Sequence, residues 1–144
     1  MDEPIRLITS KSQLRGTCYF EFAPGKYTKS WGDNSVFLAE EVFALIEPAF
    51  ERVPDYDHYA FVNIPREEWQ AILSDIANLR SKAAAAKSID DLRDVLGFFF
   101  TTSEMTFAAD FDANVLALQK LIDELTIWIK NTLRHHEFIS VLGM

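Results

Sequence analysis

The C-terminal residues 111–144 decide the fold, and they read FDANVLALQKLIDELTIWIKNTLRHHEFISVLGM. Apolar residues recur every three or four positions between about residue 112 and residue 135, a pattern typical of a helix with one buried face. Residues 138–142 are then apolar and β-prone, where a chain end would ordinarily fray. We therefore predict a long helix followed by a terminal strand that pairs within a sheet.

The opposite face of this predicted helix is polar except at Leu116 and Ile127, which lie about three turns apart and nearly in line. Apolar side chains that share an exposed helix face can mark a contact with another molecule. One open interpretation of the chain is therefore an adaptor or a structural subunit of a larger complex.

Three short runs upstream of this stretch are β-prone. β-branched and aromatic residues predict strands at residues 5–9, 17–22 and 60–64, each bounded by turn-forming residues. Within the second run, Cys18 alternates with more polar neighbours and is predicted to be a small buried residue.

Amphipathic segments lie between these runs. Polar side chains at residues 33–35 can cap a helix over residues 36–52, and further helices are predicted over 65–81 and 88–97. The aromatic connector 98–111 is expected to pack into the core, with a hydrophobic ligand surface as the alternative. The fold class is thus predicted as α+β, a mostly helical single domain over residues 1–144 with a small β-sheet that includes the C-terminal strand.

The charge of the chain is strongly acidic and regional. The 144 residues contain 14 Lys and Arg against 22 Asp and Glu, a formal net charge of -8. Residues 33–75 hold ten of these acids and only two bases, Arg52 and Arg66. This balance disfavours nucleic acid and anionic membranes as ligands and favours a basic partner.

The cysteine content and the N-terminal residues bear on the compartment. Cys18 is the only cysteine, so it has no internal disulfide partner, and the acidic start of the chain differs from a secretory signal. The apolar cluster at residues 95–100 is too short to span a bilayer. We expect a cytoplasmic protein.

Acidic and tyrosine residues concentrate between residues 40 and 59. Four glutamates share one face of the helix predicted over residues 36–52, and the loop after it alternates carboxylates with tyrosines, which make good interface anchors. The alternative interpretations are a solvated acidic face and tyrosines packed back over the edge of the core. The predicted partner-binding residues are Glu40, Glu47, Glu51, Asp55, Tyr56, Asp57 and Tyr59.

No catalytic motif stands in the sequence. It contains neither a glycine-rich phosphate loop nor a nucleophile elbow, and we predict no catalytic residue, no metal and no cofactor. Adjacent His135 and His136 would project about 100° apart on a helix, so they do not readily face one metal ion. A small metal-binding protein or enzyme that uses these histidines with Glu137 and other acidic residues remains an alternative.

A resemblance to a known family rests on several segments, namely Trp31, residues 36–43 (VFLAEEVF), 54–59 (PDYDHY), Trp69, 125–128 (LTIW) and 139–143 (ISVLG). Together they resemble immunity proteins of bacterial contact-dependent growth inhibition and related polymorphic toxin systems. The resemblance implies a cytosolic protein that binds and neutralises the C-terminal domain of a cognate toxin, commonly a nuclease, by stoichiometric protein–protein binding. It implies no functional residue at a given position of this chain.

Overall fold

The computed structural model describes residues 3–16, 18–27 and 34–143; Trp31 and Asp33, used above, lie outside these ranges. The described residues form a single α+β domain with a four-stranded sheet, as predicted. Its elements are β1 (Tyr19–Pro24), β2 (Val36–Ala39), α1 (Glu40–Ile46), β3 (Phe61–Pro65), α2 (Arg66–Ala85), α3 (Thr101–Ala109), α4 (Phe111–Thr132) and β4 (Phe138–Leu142), with short 3-10 turns at Lys11–Gln13, Glu47–Ala49 and Ile89–Asp91.

The C-terminal strand β4 lies inside the sheet. The strand order is β2-β1-β4-β3, and each neighbouring pair is antiparallel, so β4 pairs with β1 on one side and β3 on the other. Ile139, Ser140 and Val141 are buried. The prediction of a paired terminal strand is confirmed. A strand bonded along both edges satisfies its backbone groups within the protein.

Aromatic side chains join the sheet to α1 and α2. Phe22 of β1 lies with its ring centroid 5.9 Å from that of Phe43 in α1 and 6.2 Å from that of Trp69 in α2. Phe50 packs against all three rings, and the Trp69 indole N–H donates to the Ile64 carbonyl at 3.1 Å. These edge-to-face and tilted pairs fix α1 and the start of α2 on one face of the sheet.

The long helix α4 matches its predicted extent within a few residues at each end. Most of its apolar stripe is buried, Trp128 and Leu133 are partly buried, and Leu116 and Ile127 are exposed. Arg66 at the start of α2 donates from its guanidinium to the carbonyls of Leu133 and His136. This side chain satisfies backbone groups that the helix end leaves open, and it ties α4 to the sheet.

The helix predicted over residues 36–52 is wrong at both ends, since α1 is Glu40–Ile46 and a 3-10 turn at Glu47–Ala49 follows it. Val36–Ala39 is strand β2, fully buried and paired with β1, and α1 begins only at Glu40. Ser35, predicted to cap the helix, instead donates its hydroxyl to Oε2 of buried Glu21 at 2.6 Å. Apolar residues in a run predict burial but do not separate a strand from a helix.

The N-terminal predictions hold only in part. Of residues 5–9, only Ile8 pairs, through a single bridge to Phe37 of β2. β1 begins at Tyr19, Thr17 lies outside the described residues, and Cys18 is exposed. The prediction of a buried Cys18 is wrong because this residue precedes the strand.

The segment between α2 and α4 also departs from prediction. A 3-10 turn at Ile89–Asp91 and further turns replace the helix predicted over residues 88–97. The Asp91 carboxylate accepts a bond from the backbone N–H of Lys87, before the turn. The connector 98–111 contains α3, in which Phe107 is buried as expected while Met105 is exposed.

Candidate functional site

The predicted partner-binding residues fall into two groups. Glu40 and Glu47 lie two turns apart and bond to the ring of His58, while Tyr56 bonds to Glu47. The others are exposed, namely Glu51, Asp55, Asp57 and Tyr59.

His58 connects α1 to the loop before β3. Its Nδ1 lies 2.6 Å from Oε2 of Glu47, and its Nε2 lies 3.0 Å from Oε2 of Glu40. Carboxylate oxygens only accept, so both bonds form when the imidazole carries two protons and donates from each nitrogen. The side chains of the histidine and of both glutamates are only 16–17% exposed. The two carboxylates therefore lie where they favour the protonated form of this mostly buried ring.

The protonation of His58 follows from this geometry. Burial by itself opposes the charged ring, but the hydrogen bonds and charges of Glu47 and Glu40 outweigh it, and the net effect raises the pKa of His58. The imidazolium is thus the favoured form over a wider pH range than for a free histidine.

Tyr56 completes the cluster from the other side of Glu47. Its hydroxyl donates to Oε2 of Glu47, the same oxygen that faces His58. Burial first, and then the hydrogen bond and charge of Glu47, raise the pKa of Tyr56 well above its ordinary value. Tyr56 remains a neutral hydrogen-bond donor, and Oε2 of Glu47 accepts two bonds.

Aromatic rings surround the His58 imidazolium. Phe99 stacks on it at 5.5 Å between centroids, and Phe20 and Tyr59 approach its edges at 4.9 and 4.7 Å. Such rings favour a cation over their faces. The connector after α2 thereby meets the loop before β3 at this histidine.

Two glycines allow this close packing. The amide N–H of Gly143 donates to the Ala60 carbonyl, and a Cβ atom at Gly143 would lie 1.9 Å from the carbonyl oxygen of His58. A Cβ atom at Gly97 would lie 2.1 Å from the carbonyl oxygen of Ala44. Both positions need a residue without a side chain because backbone approaches there.

The outer part of the loop is shaped to expose its polar and aromatic groups. Asp55 has φ 63°, a left-handed conformation that Asp tolerates. The Asp57 carboxylate accepts a bond from the Tyr59 N–H at 2.8 Å. Tyr59 is 72% exposed, and Phe61 at the start of β3 is 50% exposed. Carboxylates and large apolar surfaces thus share one edge of the domain.

The sequence pattern did not identify His58 as the centre of the cluster. Glu40 and Glu47 were placed on one helix face by their spacing, but the pairing partner comes from a loop 11 residues beyond Glu47. A histidine within a strongly acidic segment is a usable signal, since it is the residue that can neutralise carboxylates there.

The alternative sites predicted from sequence lie elsewhere. His135, His136 and Glu137 are exposed after α4, and both histidines line a cleft of about 470 Å³. Across the described residues, no group of three or more His, Cys, Asp or Glu side chains could hold a metal ion. Leu116 and Ile127 are 67% and 60% exposed on α4.

No helix in the described ranges is long and apolar enough to cross a membrane. Comparison of the chain with protein-family models, with curated proteins and with solved structures gives no match.

Proposed function

We propose that this protein is a cytoplasmic immunity protein that binds the C-terminal domain of a cognate basic toxin, of the nuclease class, and neutralises it without catalysis. The observation that supports the proposal best is the exposure of Glu51, Asp55, Asp57 and Tyr59, which follow one another over residues 51–59. We call these four residues the acidic edge. It combines charges that steer a basic partner with an aromatic anchor that can be desolvated on binding.

The distribution of charge supports a basic partner. Residues 33–75 have ten acids and two bases, and one of those bases, Arg52, pairs with Asp75 at 2.6 Å. Arg66 is directed to the carbonyls at the end of α4. The acidic edge therefore keeps most of its negative charge, which accelerates association with a basic protein.

The state of His58 supports binding rather than catalysis at this edge. A general base needs a free ring nitrogen within reach of a substrate proton. Both nitrogens of His58 face carboxylates instead. The cluster then fixes the shape of the loop that carries the acidic edge.

The test is capture of the partner and protection from it. The tagged protein is expressed in its native host and purified in low salt, and the product of any adjacent large secreted-toxin gene is then mixed with it in pure form. We expect a stable 1:1 complex, loss of the toxin's activity, and protection of cells that express this chain. A toxin that remains unbound and fully active at a molar excess of this protein would overturn the proposal.

A matched pair of variants locates the interface. Glu51→Lys reverses a charge on the acidic edge, and Glu124→Lys reverses an exposed charge on α4. We expect the first to weaken the complex and the second to leave it unchanged.

An adaptor or subunit role is the second candidate, and the exposed Leu116 and Ile127 favour it. If the partner contact runs through α4, Leu116→Ser with Ile127→Ser abolishes binding while Glu51→Lys does not. The same binding assay separates the two functions.

A further inference from the structure

A cleft of about 380 Å³ opens beside the His58 cluster. Its lining includes the aromatic residues Tyr59, Phe98 and Phe99, which we call its aromatic walls, and the acidic residues Glu47 and Glu51. Tyr59 is 72% exposed, and the half-buried Phe99 ring stacks with one face on the His58 imidazole. The lining therefore offers aromatic surface and negative charge.

The charges around this cleft do not balance. Glu40 and Glu47 share one imidazolium, that of His58, so these three residues retain one negative charge. Glu51 adds a second, and among the residues that the structure describes no Lys or Arg side chain belongs to the lining. Net charge in a recess bounded by apolar rings is poorly screened, so a cation that enters is attracted more strongly than on an open surface.

We propose that this cleft binds an arginine side chain of the partner, with the guanidinium against the aromatic walls and bonded to the Glu51 carboxylate. A guanidinium is flat, stacks on aromatic faces and donates two parallel bonds to one carboxylate. A lysine ammonium is a compact charge without this flat, two-bond geometry. The identity of the partner rests on the function proposed above. The recognition of a guanidinium by the cleft does not.

The neighbouring structure fixes two walls of the cleft. Gly97 packs its backbone against Ala44 of α1, and its N–H donates to the Leu45 carbonyl at 3.3 Å, which fixes the chain before Phe98 and Phe99. His58 fixes the opposite wall through Glu47. A preformed recess loses little conformational entropy on binding.

The experiment titrates the full chain with two probes of nearly equal shape. Nα-acetyl-arginine methylamide carries a guanidinium, and Nα-acetyl-citrulline methylamide carries a neutral urea in its place. Amide and aromatic NMR shifts report the site. We expect the arginine probe to bind with a millimolar Kd, to shift resonances of Tyr59, Phe99 and Glu51, and to bind more weakly in high salt. The citrulline probe should give no saturable shift.

Three variants test the assigned contacts. Glu51→Gln removes the charge, and Tyr59→Leu and Phe99→Leu keep apolar volume but remove a π face. Each should weaken the arginine probe by about twofold to fivefold, the range expected of a single exposed cation contact. Glu124→Gln, a charge removal on α4, should change nothing. Tyr59 is 72% exposed, so Tyr59→Leu keeps the test valid if Phe99→Leu perturbs folding.

The outcomes separate this inference from the proposed function. Equal shifts with both probes, no shift at the cleft, or unchanged affinity in Glu51→Gln and Tyr59→Leu would overturn the arginine site. If the wild type neutralises a toxin and these variants bind that toxin normally, the proposed function stands and the arginine site is wrong. If the protein binds the arginine probe but no toxin, the arginine site stands and the proposed function is wrong.

Discussion

The Nδ1 atom of His58 lies 2.6 Å from Oε2 of Glu47, and that oxygen also accepts the hydroxyl of Tyr56. This single carboxylate therefore joins the end of α1 to two positions of the loop before β3. Two of the glutamates predicted to bind a partner, Glu40 and Glu47, are therefore bonded within the protein. The stability of the loop depends on the charge of His58.

The first prediction is a pH dependence of stability that His58 carries. Glu47 and Glu40 outweigh burial and raise the pKa of His58 in the folded protein above the value of about 6.5 expected when unfolded. The folded state then holds the proton more tightly. Its stabilisation is fully present below the unfolded pKa and is lost as the pH rises through the folded pKa.

His58→Gln should remove that dependence. We expect the variant to be less stable by about 1–3 kcal/mol near pH 6, because Glu40 and Glu47 lose a charged donor. The difference in the free energy of unfolding between wild type and variant should become smaller towards pH 9. Urea unfolding at a series of pH values measures this difference. A difference that is constant from pH 6 to pH 9 would contradict the link between His58 protonation and stability.

The second prediction separates the two groups of acidic residues. Glu47→Lys replaces the acceptor of both His58 and Tyr56 with a cation and should destabilise the protein by about 1–3 kcal/mol. Glu51→Lys, on the exposed side, should change stability by about 0.5 kcal/mol or less. Thermal unfolding of the two variants at pH 7 provides the comparison. Equal effects would show that Glu47 is no more than a surface charge.

The sequence predicted the parts of the fold that periodicity controls. The stripe from Val115 to Ile129 and the apolar end at residues 138–142 each have one consistent period, and α4 and β4 follow them. At residues 36–39 the apolar run fits either a strand or a helix. It forms a strand because it pairs with β1, which is distant in the sequence. Tertiary pairing of this kind leaves no local signal.

The candidate site shows the same limit. Spacing placed Glu40 and Glu47 on one face, but whether that face meets solvent or protein depends on where the loop at His58 returns. Gly143 is a second example, because the need for a glycine there arises from the carbonyl of His58. Tyr59 is exposed whereas Tyr56 packs against the core, although both lie in the same polar, turn-forming segment.

The third prediction tests the packing of the C-terminal strand against the loop. A methyl group at Gly143 would overlap the His58 carbonyl oxygen, so Gly143→Ala must displace the loop or the strand end. We expect a loss of about 1–3 kcal/mol and NMR shifts at His58 and Tyr56. Unchanged stability together with unchanged His58 resonances would contradict the close approach.

The fourth prediction concerns removal of the terminal strand. Deleting residues 138–144 would leave β1 and β3 without the strand that lies between them and would remove the buried side chains of Ile139 and Val141. Ile139→Ala alone should cost about 2–5 kcal/mol. The deletion should cost more stability than Ile139→Ala and should abolish cooperative unfolding. Circular dichroism during heating measures this. A sharp transition near the wild-type Tm would show that the sheet does not need β4.

The last prediction assigns separate kinetic roles to the charges and the aromatic anchor of the acidic edge. Glu51→Lys with Asp55→Asn removes negative charge; Asn tolerates the positive φ of residue 55. This double variant should slow association with the toxin domain and flatten its dependence on salt, because rim charges act mainly on the rate of encounter. Tyr59→Ala should instead speed dissociation and cost about 2 kcal/mol or more of binding free energy, since a buried aromatic anchor holds the complex together.

Surface plasmon resonance at two salt concentrations measures both rates, with Glu124→Lys as the control on α4. If the double variant and Tyr59→Ala, each folded by circular dichroism, kept the wild-type rates, the partner would contact another surface, and Leu116 with Ile127 would be the next to substitute.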